Sequence, residues 1–224
     1  MKTGVFLQAR IGSRRLPRKA LLPLDGLTVL EAAMRALARV QTDVHALLTD
    51  AASAPEFQGL AASSGFVLFE GPEEDVLGRF CLAARRFAVE RIVRATGDNP
   101  LVSPAQAAEL LSLHERDGFD LGHFLGPPLG TGVEVVTTAA LGRADSHSSD
   151  PYEHEHITTY LYRNRDRFNV AEASAPPRWS YPRGMVTIDT EEDYGRVRRL
   201  FAELYRGEPI ETEEVISWLK RQEG

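Results

Sequence analysis

Five cationic side chains fall within ten residues near the start of the chain: Arg10, Arg14, Arg15, Arg18 and Lys19, in Gln8-Ala9-Arg10-Ile11-Gly12-Ser13-Arg14-Arg15-Leu16-Pro17-Arg18-Lys19. The apolar run Val5-Phe6-Leu7 precedes them and reads as a strand. Gly12 and Ser13 suit a tight backbone turn. A loop of this kind at the end of a buried strand offers N–H groups and fixed positive charge to a polyanion. A triphosphate is the candidate, with Arg10, Arg15 and Lys19 offsetting its charge and that of departing pyrophosphate. The plain alternative is a solvated basic loop. Tight spacing, apolar flanks and a formal charge of −6 for the whole chain weigh against it.

Carboxylates supply the complementary chemistry. Asp98 stands in Arg94-Ala95-Thr96-Gly97-Asp98-Asn99-Pro100-Leu101, at the tip of an expected strand. That position suits Mg²⁺, which takes one or two carboxylates together with phosphate oxygens and water. The alternative is an aspartate accepting turn N–H groups ahead of a helix. Asp189, in Thr187-Ile188-Asp189-Thr190-Glu191-Glu192-Asp193, reads from its neighbours as a helix cap, with Glu191 to Asp193 serving the helix N-terminus. Asp75, in Gly71-Pro72-Glu73-Glu74-Asp75-Val76-Leu77-Gly78-Arg79, can begin a helix, orient Arg79 four residues on, or help build a nucleoside pocket. Thr49-Asp50, after another strand, is placed for nucleoside contact as well. His154 and His156, in Glu153-His154-Glu155-His156-Ile157-Thr158, do not form H-E-x-x-H, and no third ligand is evident, so zinc is not assigned.

The chain resembles the SpsF-like cytidylyltransferases, relatives of the CMP-sialic acid and CMP-Kdo synthetases, from Val5 to about Tyr194. The basic stretch is similar to their Q-A-R-x-G-S-T-R-L-P-G-K signature, with Arg14 for Thr and Arg18 for Gly, both adding charge. Residues 94–101 resemble R-x-T-G-D-x-P-L, and residues 188–194 resemble V-D-T-x-E-D-L. Residues 71–80 resemble G-x-E-D-D-V-L-D-R-Y, with Gly78 for Asp. Glu155-His156-Ile157-Thr158-Thr159-Tyr160 resembles E-H-V-T-P-Y, and Val133-Glu134-Val135 resembles V-E-V. The resemblance implies transfer of CMP from CTP to an acidic sugar or related surface-polysaccharide precursor. Arg10, Lys19 and Asp98 would be catalytic, and Asp98 and Asp189 would hold Mg²⁺. Gln8, Ala9, Arg10, Gly12, Ser13, Arg15, Lys19, Thr49, Asp75, Thr96 and Gly97 would bind the nucleotide. The His154–Tyr160 stretch would meet the acceptor or a second subunit, and Glu134 would meet the acceptor or stand as an exposed strand residue. A homodimer is expected on the same ground.

Other activities find less support. The sequence lacks G-x-x-x-x-G-K-[ST] and G-x-G-x-x-G, which disfavours P-loop hydrolysis and dinucleotide redox chemistry. It lacks a D-x-D triplet, which disfavours a metal-dependent glycosyltransferase of similar architecture. That enzyme class, a CTP:phosphonate or phosphate cytidylyltransferase, and a non-catalytic nucleotide-binding regulator are the rival readings. The acidic balance argues against nucleic acid as a partner. No apolar run approaches a membrane span, and no signal peptide is expected. The single cysteine, Cys81, lies in a helical apolar pattern and reads as a buried thiol. A reducing cytoplasm is the expected setting.

The elements that must position this chemistry follow from periodicity. Residues 3–8, 44–48, 66–69 and 91–95 read as strands. Helices are expected after Thr28, whose spacing to Glu31 makes a capping box, over 55–64 closed by Gly65, and over 75–87. A further helix runs from Pro104 to Gly118, with Ser103 and Gln106 as another box. Alternation of this kind predicts an α/β fold with a mostly parallel sheet and helices on both faces, and the resemblance implies that it is the Rossmann-like nucleotidyltransferase (GT-A-like) fold. In the order 3-2-1-4 the first and fourth strands are neighbours, and ligands bind above them. The second half predicts two extended runs in 120–137, helices at 138–146, 152–163, 191–206 and 211–221, and strands at 168–173 and 184–189. We expect one domain over 1–224, with 120–183 as a small projecting arm serving the acceptor or a dimer.

Overall fold

The structure, a computed structural model, describes residues 1–223. Its centre is a seven-stranded sheet. In chain order the strands and helices are β1 (Thr3–Gln8), β2 (Pro23–Leu24), β3 (Leu27–Thr28), α1 (Val29–Leu37), β4 (Val44–Thr49), α2 (Ala54–Ser63), β5 (Val67–Glu70), α3 (Val76–Phe87) and β6 (Arg91–Thr96). There follow α4 (Pro104–Asp117), β7 (Leu121–Leu125), β8 (Glu134–Thr137), α5 (Thr138–His147), α6 (Pro151–Glu155), α7 (Thr159–Arg163), β9 (Val170–Ser174), α8 (Glu191–Leu204) and α9 (Thr212–Gln222). The sheet order is β5-β4-β1-β6-β8-β7-β9. Its first four strands are parallel neighbours, as the alternating pattern predicts.

β1 is buried on both faces, which is why it reads as continuous Val5-Phe6-Leu7 instead of alternating. Val5 and Leu7 face α1, α2 and α4, packing with Leu30, Met34, Phe57 and Leu110. Phe6 points the other way, into α3 and α5 with Leu77, Phe80 and Leu141. Each such fully buried side chain contributes about 1.5–3 kcal/mol. Cys81 lies in this second layer, and burial pushes its thiol up to about 12, so it is no thiolate nucleophile. Helices α8 and α9 build a third apolar cluster with Leu24, Leu101, Val186 and Ile188.

The second half departs from expectation in three places. Residues 120–183 do not stand off as an arm: β8 pairs antiparallel with β6, β7 with β8, and β9 parallel with β7, so all three strands extend the central sheet. The helix expected over 152–163 is two short ones. Buried Ile157 and Thr158 interrupt it, the Thr158 hydroxyl donating to Glu134. Residues 184–189 are extended but form no ladder. Met185 bridges Leu129, and three residues later the Ile188 N–H donates to Asp98 O, so the segment changes partners midway.

Two local contacts also differ. The Ser103 hydroxyl caps Gln106 N, yet the Gln106 side chain donates to Thr131 and Thr212 instead of returning to Ser103 N, which bonds Thr131 O. Asp75 does not orient Arg79, whose Nη1 donates to Pro72 O.

Candidate active site

The loops after β1 and β6 meet because their strands are paired in register, Gln8 opposite Thr96. The Gly97 N–H donates to Gln8 O at 2.8 Å. A Cβ on Gly97 would lie 2.8 Å from Ala9 Cβ and 3.2 Å from Gln8 O, so the approach requires glycine.

The basic loop is fixed from below. Thr49 Oγ1 donates to Ala9 O at 2.8 Å, and Ile11 N donates to Ser53 Oγ at 2.9 Å. Ser53 Oγ in turn donates to Asp50 Oδ2 at 3.0 Å. Thr49 and Asp50 are buried, so their side chains support the loop from beneath. The Ser13 N–H turns back to Ile11 O, and Ser13 Oγ accepts from Leu16 N. Among the described residues, the N–H groups of Arg10, Gly12, Arg14 and Arg15 have no protein acceptor. A Cβ on Gly12 would meet nothing within 4 Å, so the loop presents open backbone there. Arg18 adopts φ 58°, the left-handed region that the Gly of the resembled signature enters freely. Its guanidinium makes an exposed fork on Glu56.

Two carboxylates from distant parts of the sequence converge on this loop. Lys19 Nζ donates to Asp98 Oδ2 at 2.8 Å, Asp189 Oδ1 at 2.9 Å and Ile188 O at 2.8 Å. Arg15 Nη2 lies 2.9 Å from the same Asp189 oxygen. Asp98 accepts no turn N–H among the described residues, and Ser103 caps α4. Asp189 is not a helix cap either. Thr190 caps α8 in a reciprocal box with Asp193, which leaves the Asp189 side chain to Lys19 and Arg15. Burial opposes ionisation of Asp193, but hydrogen bonds from Thr190 and the Asp189 N–H outweigh it and hold the group below the usual carboxylate range. Lys19 Nζ is a stand-in cation surrounded by hard oxygen donors, and that donor set fits Mg²⁺.

The other candidates lie at varying removes from this pair. Arg10 Nη2 pairs with Glu155 Oε1 at 3.0 Å, a contact the sequence pattern did not signal. Thr96 Oγ1 accepts from Asn99 Nδ2, holding the turn before Asp98, and Gln8 Oε1 is buried without a partner. Asp75 caps α3 through Gly78 N. A Cβ at Gly78 would sit 2.1 Å from Asp75 Oδ2, so this side-chain position excludes the Asp that the resembled motif carries there. Glu134 is no exposed strand residue: it accepts from Arg94 at 2.9 Å and Tyr162 at 2.8 Å, with Thr158 at 3.2 Å. Burial, then the Glu134 charge, drives the Tyr162 phenol well above its usual range. His156 is exposed, its ring 4.4 Å from that of Tyr152.

Asp75, Asp145 and His154 bring ligand atoms within 4.8 Å of one another. Both His154 nitrogens face acceptors, Nδ1 at 2.6 Å from Asp75 Oδ1 and Nε2 at 3.1 Å from Ser148 O. Only the doubly protonated ring donates to both, so this geometry is that of an imidazolium beside Asp75. The Asp75 hydrogen bond raises the His154 pKa above 6.5; burial opposes this, and the Ser148 carbonyl and Asp145 support it. The folded-state value is the raised one. The pair's stabilisation is therefore fully present below about pH 6.5 and is lost as pH rises through the folded pKa. Wild type should melt above His154→Asn at pH 6, and the gap should shrink towards pH 9. A gap constant across that range would disprove the charged pair.

Taken together, a basic loop and a carboxylate pair above the junction of two parallel strands define a nucleotide-binding α/β protein. A family model described as cytidylyltransferase matches residues 5–212. The chain belongs to that family and is a CTP-dependent nucleotidyltransferase. It is 33% identical to the spore coat polysaccharide biosynthesis protein SpsF of Bacillus subtilis, over 96% of this chain and 93% of that one. It is 28% identical to a 3-deoxy-manno-octulosonate cytidylyltransferase of Acidobacterium capsulatum, over 88% and 95% of the two chains. A cytidylyltransferase structure from Leptospira borgpetersenii superposes with a TM-score of 0.91 at 26% identity, covering 100% of this chain and 95% of that one. No helix among the described residues is long and apolar enough to cross a membrane.

Proposed function

We propose that this protein transfers CMP from CTP to an acidic sugar or related surface-polysaccharide precursor, with Mg²⁺, and releases pyrophosphate. The observation that carries the reading is the meeting of Lys19, Arg15, Asp98 and Asp189 beside a loop of uncommitted N–H groups. An acceptor oxygen attacks the α-phosphorus in line, the bond to the bridging oxygen breaks, pyrophosphate leaves with its electrons, and the proton of a hydroxyl acceptor passes to solvent. Arg15, Lys19 and the free amides offset the leaving-group charge, and Arg10 joins them on release from Glu155. Asp98 and Asp189 would hold Mg²⁺, which supplies charge neutralisation and polarises phosphate oxygens. Gln8, Thr96 and Gly97 line the floor beneath the nucleotide, and Asp75 shapes its rim through α3. Positioning and electrostatics account for the rate, with no covalent enzyme intermediate.

Relatedness to SpsF and to a 3-deoxy-manno-octulosonate cytidylyltransferase supports a sugar-acid acceptor. The His154–Tyr160 stretch and Glu134 are its proposed neighbours. The resemblance to the synthetases supports a homodimer, and the use of CTP with a buried free thiol suits the cytoplasm. The test is pyrophosphate release from each nucleoside triphosphate against a panel of acidic sugars, phosphates and phosphonates, with Mg²⁺ and with chelator. Release is expected from CTP alone, with a sugar acid, and is lost on chelation. Nucleotide released from a sugar nucleotide would instead identify a glycosyltransferase. CTP binding without turnover at saturating Mg²⁺ would identify a regulator.

A further inference from the structure

Lys19 has no donor to spare. An ammonium offers three hydrogens, and its nitrogen lies at 2.8, 2.8 and 2.9 Å from Asp98, Ile188 and Asp189 oxygens. The side chain is only 14% exposed, so water does little to screen it. Arg15 adds a second cation on Asp189. The basic loop and the carboxylate pair thus satisfy each other: the positive charges of Lys19 and Arg15 answer the negative charges of Asp98 and Asp189. In this arrangement Lys19 is unavailable to a phosphate. Asp98 Oδ2 and Asp189 Oδ1 in turn are unavailable to a metal ion, since a divalent cation between them would sit against an ammonium.

We propose that Lys19 is a built-in competitor of the divalent cation. In the nucleotide-free protein it occupies the oxygen cluster and keeps the cation out. A polyphosphate draws Lys19 and Arg15 to itself and so opens the carboxylates. Cation and polyphosphate then bind with positive coupling, each raising the affinity of the other by the same factor. The identity of the polyphosphate as CTP rests on the proposed function; the competition between Lys19 and the cation does not.

The test is calorimetric titration of Mn²⁺ into nucleotide-free wild type, Lys19→Met, Arg15→Ala and Asp98→Asn, each first shown to be folded by its melting curve. Lys19→Met should bind Mn²⁺ at least tenfold more tightly than wild type, and Asp98→Asn should bind it no better than wild type. CTP without acceptor should tighten Mn²⁺ binding to wild type at least tenfold and to Lys19→Met by a smaller factor. Equal affinity of wild type and Lys19→Met, within twofold, would overturn the proposal. Should Lys19→Met fail to fold, Arg15→Ala decides, because the Arg15 side chain is 67% exposed and supports no core. It is expected to bind Mn²⁺ about threefold more tightly, and no change would overturn the competition. If Lys19→Met gains affinity but no nucleoside triphosphate alters wild type, the competition stands and the cytidylyltransferase reading of the site falls.

Discussion

Asp98→Asn is expected to lower kcat at least about 10²-fold, roughly 3 kcal/mol of transition-state stabilisation. Asparagine keeps the shape of the side chain and removes its charge. Lys19 retains Asp189 Oδ1 and the Ile188 carbonyl, so the local fold has what it needs to persist. The melting temperature should consequently change little while turnover collapses and the Mg²⁺ requirement rises. Pyrophosphate release at several Mg²⁺ concentrations, run beside a thermal melt, separates the two effects. A kcat within about threefold of wild type, roughly 0.65 kcal/mol, would remove Asp98 from the proposed metal site.

Gly130→Ala is expected to be the most damaging single methyl group in the chain. Its φ is 100°, a region that side chains rarely adopt. The added Cβ would lie 2.5 Å from Thr187 N and 2.8 Å from Val186 C. Both are backbone atoms of the segment that carries Asp189, and neither can rotate aside. Backbone strain and overpacking each cost about 1–3 kcal/mol. Their sum, about 2–4 kcal/mol after partial relaxation, corresponds to a fall in melting temperature of about 5–15 °C for a protein of this size. Activity should fall further than stability does at the assay temperature, because the shifted segment ends at the carboxylate. Gly12→Ala is the control for stability. Its Cβ meets nothing within 4 Å, and its melting temperature should stay close to that of wild type. A melt for Gly130→Ala indistinguishable from Gly12→Ala would show that residues 184–189 yield easily and that Asp189 is not rigidly held.

The first half of the chain was readable because its signals are local. Thr28 and Glu31 make the reciprocal box that their spacing predicts. Gly65 and Gly118 take the left-handed conformations expected of helix ends. Four strands alternating with helices admit few arrangements once crossovers are right-handed, and the neighbouring of β1 and β6 followed from that. The second half depends on pairing between distant segments. Leu121 opposite Val170 and Arg94 opposite Glu134 are choices that no window of ten residues records. The strands near 120–137 and 170 were therefore recognisable as strands while their place in the central sheet was not.

For the candidate site, residue types and spacing singled out the basic loop, Asp98 and, through the resemblance, Asp189. How they pair came only from the tertiary structure. Lys19 lies between two carboxylates instead of standing ready for phosphate, Arg10 pairs with Glu155, and Thr49 and Asp50 support the loop from beneath. The physical reason is one of range. Periodicity and turn chemistry act over a few residues, and they determined the elements and the positions of the charged groups along the chain. An ion pair forms over a few ångströms of space, and only the packing of β1, β6 and the 184–189 segment against one another decided which charges would meet.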